Sequence, residues 1–511
     1  MSEPKKIVIV GGGSAGWICA AILSHFLPRG RPEIELIESE KIGIIGVGES
    51  TVPPILEMLR RLEIDEAEFI AATQGAFKLG IRFDDWRVKG ETYYHPFGHT
   101  GGIIAGNEFY QCWLRAKHEG HPSDLQDFAP ATAMAKKGKF MLPFKARNTP
   151  IGSAATALHI DAYLAAKYLR TYAEKKGVTR HEGMVEQVHQ NPENGHITGL
   201  TLDDGRHIDG DLFIDCSGFR SLLTAQTLKV DFIDWSDQLL CDRAVTTQTT
   251  NIRDPHPYTF AGAQGAGWRW CIPLQHRSGN GYVFSSSHIS DQQALDTLLS
   301  QVEGEQTTDP WFVPVKTGMR RELWHKNVVA VGLAGGFIEP LESTALHLIY
   351  RSMEFFLRFY PKDGMDPSLQ REFNQRMQAD YTEIKDFVVL HYCTTEREDT
   401  PFWRDVRAAK IPDSLKEKLE LYRVNGALRE GVEDLFRAPS WQAVMDGMRI
   451  RPRNHSPLVD RIPKDELWAT LDATLPQLNA FVDTLPSHGD FLRTHCAAPL
   501  PPERPKRAVP A

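Results

Sequence analysis

Several features that would place a chain quickly are missing from this one. Its seven cysteines, at 19, 112, 216, 241, 271, 393 and 496, form no C-x-x-C pair, and no histidines stand at zinc-ligand spacing. That argues against a metal site and for a reducing compartment. No apolar run is long enough to span a bilayer, and the first residues, Met1-Ser2-Glu3-Pro4, carry no signal peptide, so a cytoplasmic protein that does not enter a membrane is expected. Positive charge is in deficit: a formal net charge of -8 leaves no broad attraction for nucleic acid or anionic lipid. Internal repeats are absent, and the one biased segment is a proline-rich tail, 497–511, expected to be disordered.

What is present begins at Lys5. Ile7 to Val10 reads as a buried strand, Gly11, Gly13 and Gly16 follow with the spacing G-x-G-x-x-G, and Trp17 to Leu23 continues as a helix. In that context the first glycine permits the turn, the second lets a pyrophosphate approach the backbone, and the third lets helix pack on strand. Ser14 and Ala15 would offer helix-start amides to the phosphates. A second strand ends at Glu38, near the distance of ~20 residues at which an acid binds a ribose hydroxyl. The segment Gly48-Glu49-Ser50 precedes a helical pattern, Ile55 to Leu62. It is either a plain loop-to-helix junction or a place where backbone comes close to a flat ligand.

Farther on, a helix is expected from Leu158 to Lys176, then three short strands with turns at 191–195 and 203–205, then the run Asp211 to Ser221, a strand ending in small residues. A third such strand, Val328 to Val331, runs into Gly332 and Leu333. Flavoproteins of the glutathione-reductase type place a meander beside the nucleotide sheet and return to the cofactor in this way, and the chain resembles them; the resemblance implies FAD rather than NAD. The fold class expected is α/β, a Rossmann-like FAD-binding domain with a β meander and a mostly helical C-terminal substrate domain. The corresponding boundaries are 1–350 (with a substrate-pocket insertion at about 82–150), 351–496 and the tail.

Two readings stand for most of the chemically suggestive residues. Lys78 lies between Phe77 and Leu79, and such a lysine either snorkels to solvent or is a desolvated, reactive amine. Tyr93 to Gly98, with His95 and Phe97, is core lining or an aromatic loop that stacks on a flat substrate. Trp268-Arg269-Trp270-Cys271-Ile272-Pro273, if a strand, puts both indoles on one face with Arg269 and Cys271 opposite and ends at Pro273; core packing is the plainer role. Glu342-Ser343-Thr344-Ala345 opens a helix, Leu346 to Tyr360, so Glu342 is a helix-start acid or a functional carboxylate, and the amides there suit a halide or oxyanion. Trp441 is a core residue or a stacking wall. The basic run Arg449-Ile450-Arg451-Pro452-Arg453 reads as solvated surface.

Taken together, Gly11 to Gly16, Phe77-Lys78-Leu79-Gly80-Ile81, Trp268 to Pro273, Glu342-Ser343-Thr344, Leu390-His391-Tyr392 and Asp399 to Trp403 resemble, in order, the flavin-dependent halogenases typified by tryptophan halogenases. The resemblance implies reduced FAD (FADH2) from a separate reductase, oxygen, and chloride or bromide as co-substrate. Hypohalous acid would meet Lys78, with Glu342 polarising the electrophile or removing the ring proton. Thr344 and Ala345 would hold the halide, Trp268 and Trp270 would wall the flavin from the arene, and His95 and Phe97 would sandwich it. The family's tyrosine-rich amino-acid clamp is missing from 439–448, which favours a neutral indole-type arene over free tryptophan. Homodimerisation is a family expectation. The rivals are a single-component FAD-dependent aromatic hydroxylase, against which Lys78, Glu342 and the tryptophan pair argue, and a non-catalytic flavoprotein scaffold, which would need neither Lys78 nor Glu342.

Overall fold

The computed structural model describes residues 3–30, 32–41 and 49–500. Ile7, Val8, Ile9 and Val10 are all buried because the strand Lys6–Val10 lies inside a six-stranded sheet, where a strand covered on both faces needs a continuous apolar run. The order is Trp324–His325, Val328–Ala330, Leu212–Asp215, Lys6–Val10, Glu33–Glu38, Thr179–Glu182. All neighbours run parallel except the edge pair formed by Trp324–His325. Side-chain alternation then sorts two layers. Ile7 and Ile9 join the main core with the helix Ser14–Phe26, which packs against Ala162–Lys175 and Ala345–Arg358. Val8 and Val10 pack on Ile197, Leu200 and Leu202 of a three-stranded meander. The architecture is therefore mixed α/β, with a parallel Rossmann-type sheet, a meander and a helical C-terminal region, as expected.

One local expectation is corrected. The helix expected from Leu158 begins instead at Ala162: Ala157–Ile160 is a strand, paired with Ala76–Lys78 and Glu49–Ser50, and Asp161 caps the helix by accepting from the amides of Tyr163 and Leu164. An aspartate in extended backbone beside orphan helix amides sets the start more firmly than the apolar pattern does. The apolar stretch Phe77 to Phe83 forms two strands, Ala76–Lys78 and Gly80–Asp84, in different sheets. The helix expected from Leu346 runs Ala345–Arg358, after a 3-10 turn, Pro340–Glu342, and a left-handed Ser343 (φ 64°).

The second large sheet has seven strands, ordered Trp311–Pro314, Arg243–Thr249, Ser278–Phe284, Gly267–Pro273, Thr259–Gln264, Gly80–Asp84 and Thr92–Pro96. Its Gly267–Pro273 strand alternates as foreseen, with Trp268 and Trp270 buried, Arg269 and Cys271 partly exposed, and Pro273 at the end. Against this sheet lie the helices of the C-terminal region, notably Pro367–Cys393 and Ala438–Gly447, while Phe109–His118 and Pro130–Lys136 from the earlier segment pack on Lys464–Asp483. The start of the tail is held: Ala498 N–H donates to Gln275 Oε1 at 3.0 Å and Gln74 donates to the Pro499 carbonyl; residues 501–511 lie outside the described residues. Among the described residues no helix is long and apolar enough to cross a membrane.

Candidate active site

The three glycine-terminated strands end side by side, with Val10 paired to Asp215 and Asp215 to Ala330. Gly11 has φ 115°, and a Cβ there would collide with the Cys216 carbonyl; one on Gly16 would collide with the Gly11 carbonyl. A Cβ on Gly13, by contrast, would meet nothing within 4 Å. Two glycines therefore close the strand–turn–helix unit, and the one between them faces open space at the start of the helix Ser14–Phe26, whose first turn no side chain caps. This is the cradle a diphosphate needs, and a dinucleotide such as FAD fits it. Glu38 ends the Glu33–Glu38 strand beside the turn, where a Cβ on Gly12 would strike its carboxylate. It also accepts from Trp17 Nε1 at 3.2 Å and pairs with Arg180. Gly332 (φ 65°) brings the third return against Ala15, with Leu333 half-buried beside it. Glu49 and Ser50 form a short strand, the Ser50 hydroxyl 2.7 Å from that of Thr259; Gly48 lies outside the described residues.

At the end of the edge strand Ala76–Lys78, in the small sheet with Ala157–Ile160 and Glu49–Ser50, a lysine is sealed from water. Lys78 is fully buried, its Nζ donates to the Thr51 carbonyl and the Ser343 hydroxyl, each at 2.9 Å, and it stands 4.9 Å from the Phe97 ring centre. Burial lowers its pKa to about 7, with the negative charge of Glu342 acting in the opposite direction. The strand bearing it is tied down from the far end of the chain: Phe77 N–H donates to His488 Nε2 at 3.2 Å, while His488 Nδ1 donates to the Pro255 carbonyl at 2.7 Å.

Glu342 is equally buried and is clamped by two imidazoles, with His95 Nδ1 2.7 Å from Oε2 and His391 Nε2 3.0 Å from Oε1. Burial pushes its pKa up, but His95 and then His391 outweigh burial and hold it at about 2. His391 Nδ1 lies 2.9 Å from the Phe387 carbonyl. A carbonyl can only accept, so Nδ1 is the donor in that contact. The two imidazoles thus flank both oxygens of a carboxylate held away from water.

Around it runs an aromatic box. The His95 ring lies 5.8 Å from Phe97, 5.3 Å from Phe387 and 5.8 Å from Phe436, and its Nε2 has no partner. Trp441 is fully buried, packs edge-on to Phe387 at 4.9 Å and donates its indole N–H to the Phe436 carbonyl. Trp268 and Trp270 lie 6.0 Å apart, and Trp86 links them to the cluster, 6.3 Å from Trp268 and 6.0 Å from His391. Thr344 is buried at the cap of the Ala345–Arg358 helix without a side-chain cap bond, and Ala345 is half-buried.

A family model described as tryptophan halogenase matches residues 6–464. The chain belongs to the tryptophan halogenase family. Among solved structures it is similar to Xcc4156, a flavin-dependent halogenase from Xanthomonas campestris, at 42% identity and a TM-score of 0.93 over 98% of this chain and 100% of that one. It is similar to BrvH, a flavin-dependent halogenase from Brevundimonas sp. BAL3, at 39% and 0.92 over 97% and 99%. It is 31% identical to tryptophan 7-halogenase RebH of Lentzea aerocolonigenes over 96% of this chain and 98% of that protein. The chain is thus a flavin-dependent halogenase. In the sequence Lys78, Glu342, His95 and the tryptophan pair lie in separate stretches, and the structure brings Lys78, Glu342 and His95 into one cluster. Ser343, Phe387, His391, Phe436 and His488 carry no individual role by sequence, and Thr51, a candidate cap for the helix that follows it, instead offers its carbonyl to Lys78. Phe387 and His391 stand four apart on one helix face, a signal available in the sequence, but which face meets Glu342 is not.

Proposed function

We propose that this halogenase chlorinates or brominates an electron-rich, indole-type arene with reduced FAD delivered by a separate flavin reductase. The observation that carries the reading is the Lys78 amine, sealed beside Ser343 with a pKa of about 7. Reduced FAD, with oxygen and halide, supplies hypohalous acid; the residues of the chain confine and direct it. Gly11, Gly13, Ser14, Ala15 and Gly16 would hold the diphosphate and Glu38 the ribose, with Gly332, Leu333, Glu49 and Ser50 toward the flavin. The amides of Thr344 and Ala345 would hold the halide, and Trp268 and Trp270 would keep arene and flavin apart.

At neutral pH both forms of Lys78 are populated, so it can donate a hydrogen bond to hypohalous acid as the ammonium or take the halogen as the free amine. Glu342, held ionised, stabilises the cationic ring that forms on halogen transfer. A carboxylate with so low a pKa is a weak base, but a ring cation that regains aromaticity on losing its proton needs no stronger one. His95, Phe97 and Trp441, with Phe387 and Phe436, line the arene box, and the helix Ala438–Gly447 brings no tyrosine pair to it, which favours a neutral indole.

The test is mass spectrometry of indole incubated with the protein, FAD, a reductase, NADH, oxygen and chloride or bromide, beside Lys78→Ala. Mono-halogenated indole that vanishes in the variant is expected. Oxygenated product, with bound FAD reduced by NADPH in the absence of reductase, would instead identify a hydroxylase, and bound FAD without halogenated product from a panel of arenes a non-catalytic scaffold.

A further inference from the structure

The basic run read from the sequence as solvated surface does not stand alone. Arg449, Arg451 and Arg453 line one cleft of about 520 Å³ together with Arg423 and Arg407, which come from two other helices, Asp413–Asn425 and Pro401–Ala408. The chain carries a net charge of -8, yet three separate segments bring five arginines to line one concavity. Like charges gathered in a cleft repel one another and focus a positive potential on whatever enters.

Some of that charge is answered within the protein. Arg407 pairs with Glu398, Arg451 with Asp446 at 3.0 Å, and Arg449 with Asp124 at 3.4 Å. The cleft's one acid, Glu396, is held by Arg87 at 2.8 Å. Arg423 and Arg453 make no ion pair among the described residues, and they are neighbours: Arg453 N–H donates to the Arg423 carbonyl at 3.0 Å. Arg449 sits at φ 59° just beyond the Ala438–Gly447 helix, a left-handed position that favours glycine, and an arginine there is strained. Last-turn arginines also complement helix dipoles, which accounts for Arg407 and Arg423 separately but not for Arg449 and Arg453 facing the same space.

We infer that this cleft binds a phosphate-bearing anion of about nucleotide size. Guanidinium forks match phosphate oxygens in pairs, and the volume lies within the ~300–1,000 Å³ of small-molecule sites. The helices that carry His391 and Trp441 also end in it, at Cys393 and near Met448, so the bound anion would rest on two walls of the aromatic box. The assignment does not depend on the halogenation reading.

The test is calorimetric titration of inorganic pyrophosphate and of ADP into FAD-saturated protein, so that the glycine cradle is already filled, at low and at 0.3 M salt. One equivalent of saturable binding is expected, weaker at high salt, and at least tenfold weaker in the Arg423→Ala, Arg453→Ala double variant. The Arg423→Lys, Arg453→Lys variant should retain part of it. ADP binding tighter than pyrophosphate would assign a nucleotide, equal binding a diphosphate group alone. Absence of saturable binding at low salt, or equal binding by the double alanine variant with an unchanged melting temperature, would overturn the assignment.

Discussion

Replacing His391 by phenylalanine tests the clamp on Glu342 most directly. The ring is retained among Phe83 at 4.8 Å, Trp86 at 6.0 Å and Phe387 at 5.4 Å, and the Phe387 carbonyl loses only a side-chain donor. What disappears is the contact to Glu342 Oε1. The fall of the Glu342 pKa from 4.5 to about 2 corresponds to ~3 kcal/mol in favour of the carboxylate, and removing one partner of a fully buried ion pair typically costs ~3–5 kcal/mol. With the histidine gone, less positive charge opposes burial and the Glu342 pKa rises.

The sign of the stability change follows. In the native protein the folded pKa lies below the unfolded one, so Glu342 contributes stability above about pH 4.5 that is lost as pH falls toward 2. In His391→Phe the carboxyl becomes easier to protonate when folded, so the loss relative to wild type is fully present above about pH 4.5 and shrinks as pH falls toward 2. Denaturant melts at pH 7 and pH 3 and the pH profile of kcat are the assays: a stability gap wider at pH 7, and an acid limb displaced upward in the variant. An equal gap at the two pH values with an unmoved acid limb would refute the reasoning.

Other substitutions separate chemistry from scaffold. Lys78→Met should abolish halogenation while leaving FAD binding intact. Because the folded pKa of Lys78 is about 7 against 10.5 unfolded, wild-type stability should gain on the variant as pH rises from 7 to 10, as denaturant melts would show. Gly13→Ala, where a Cβ meets open space, should fold normally but bind FAD at least tenfold more weakly by fluorescence titration. Gly16→Ala, where it strikes the Gly11 carbonyl, should lower the melting temperature before any affinity is read. His488→Ala leaves the Phe77 N–H without its acceptor and should cost ~1–3 kcal/mol, with a lower kcat but an unchanged FAD affinity.

The first strand, its glycine turn, the two later glycine-ended strands and the facing of Trp268 and Trp270 were all legible in the sequence. Each rests on local physics: a continuous apolar run for a covered strand, a glycine where a Cβ would strike backbone, a period of two. Motif order was enough to name the family and to single out Lys78 and Glu342. The burial of Lys78 was not legible, because its two acceptors, the Thr51 carbonyl and the Ser343 hydroxyl, come from distant parts of the chain and depend on Ser343 adopting a left-handed turn that no local pattern announces. Glu342 looked like a helix-start acid until the helix proved to begin at Ala345 and two histidines, 247 residues before it on a strand and far beyond it on another helix, closed on its oxygens. Local rules settle which residues are strand, turn or helix; the protonation state of a buried lysine or glutamate depends on which charges and dipoles surround it and how far water is excluded, and only the packed chain decides both.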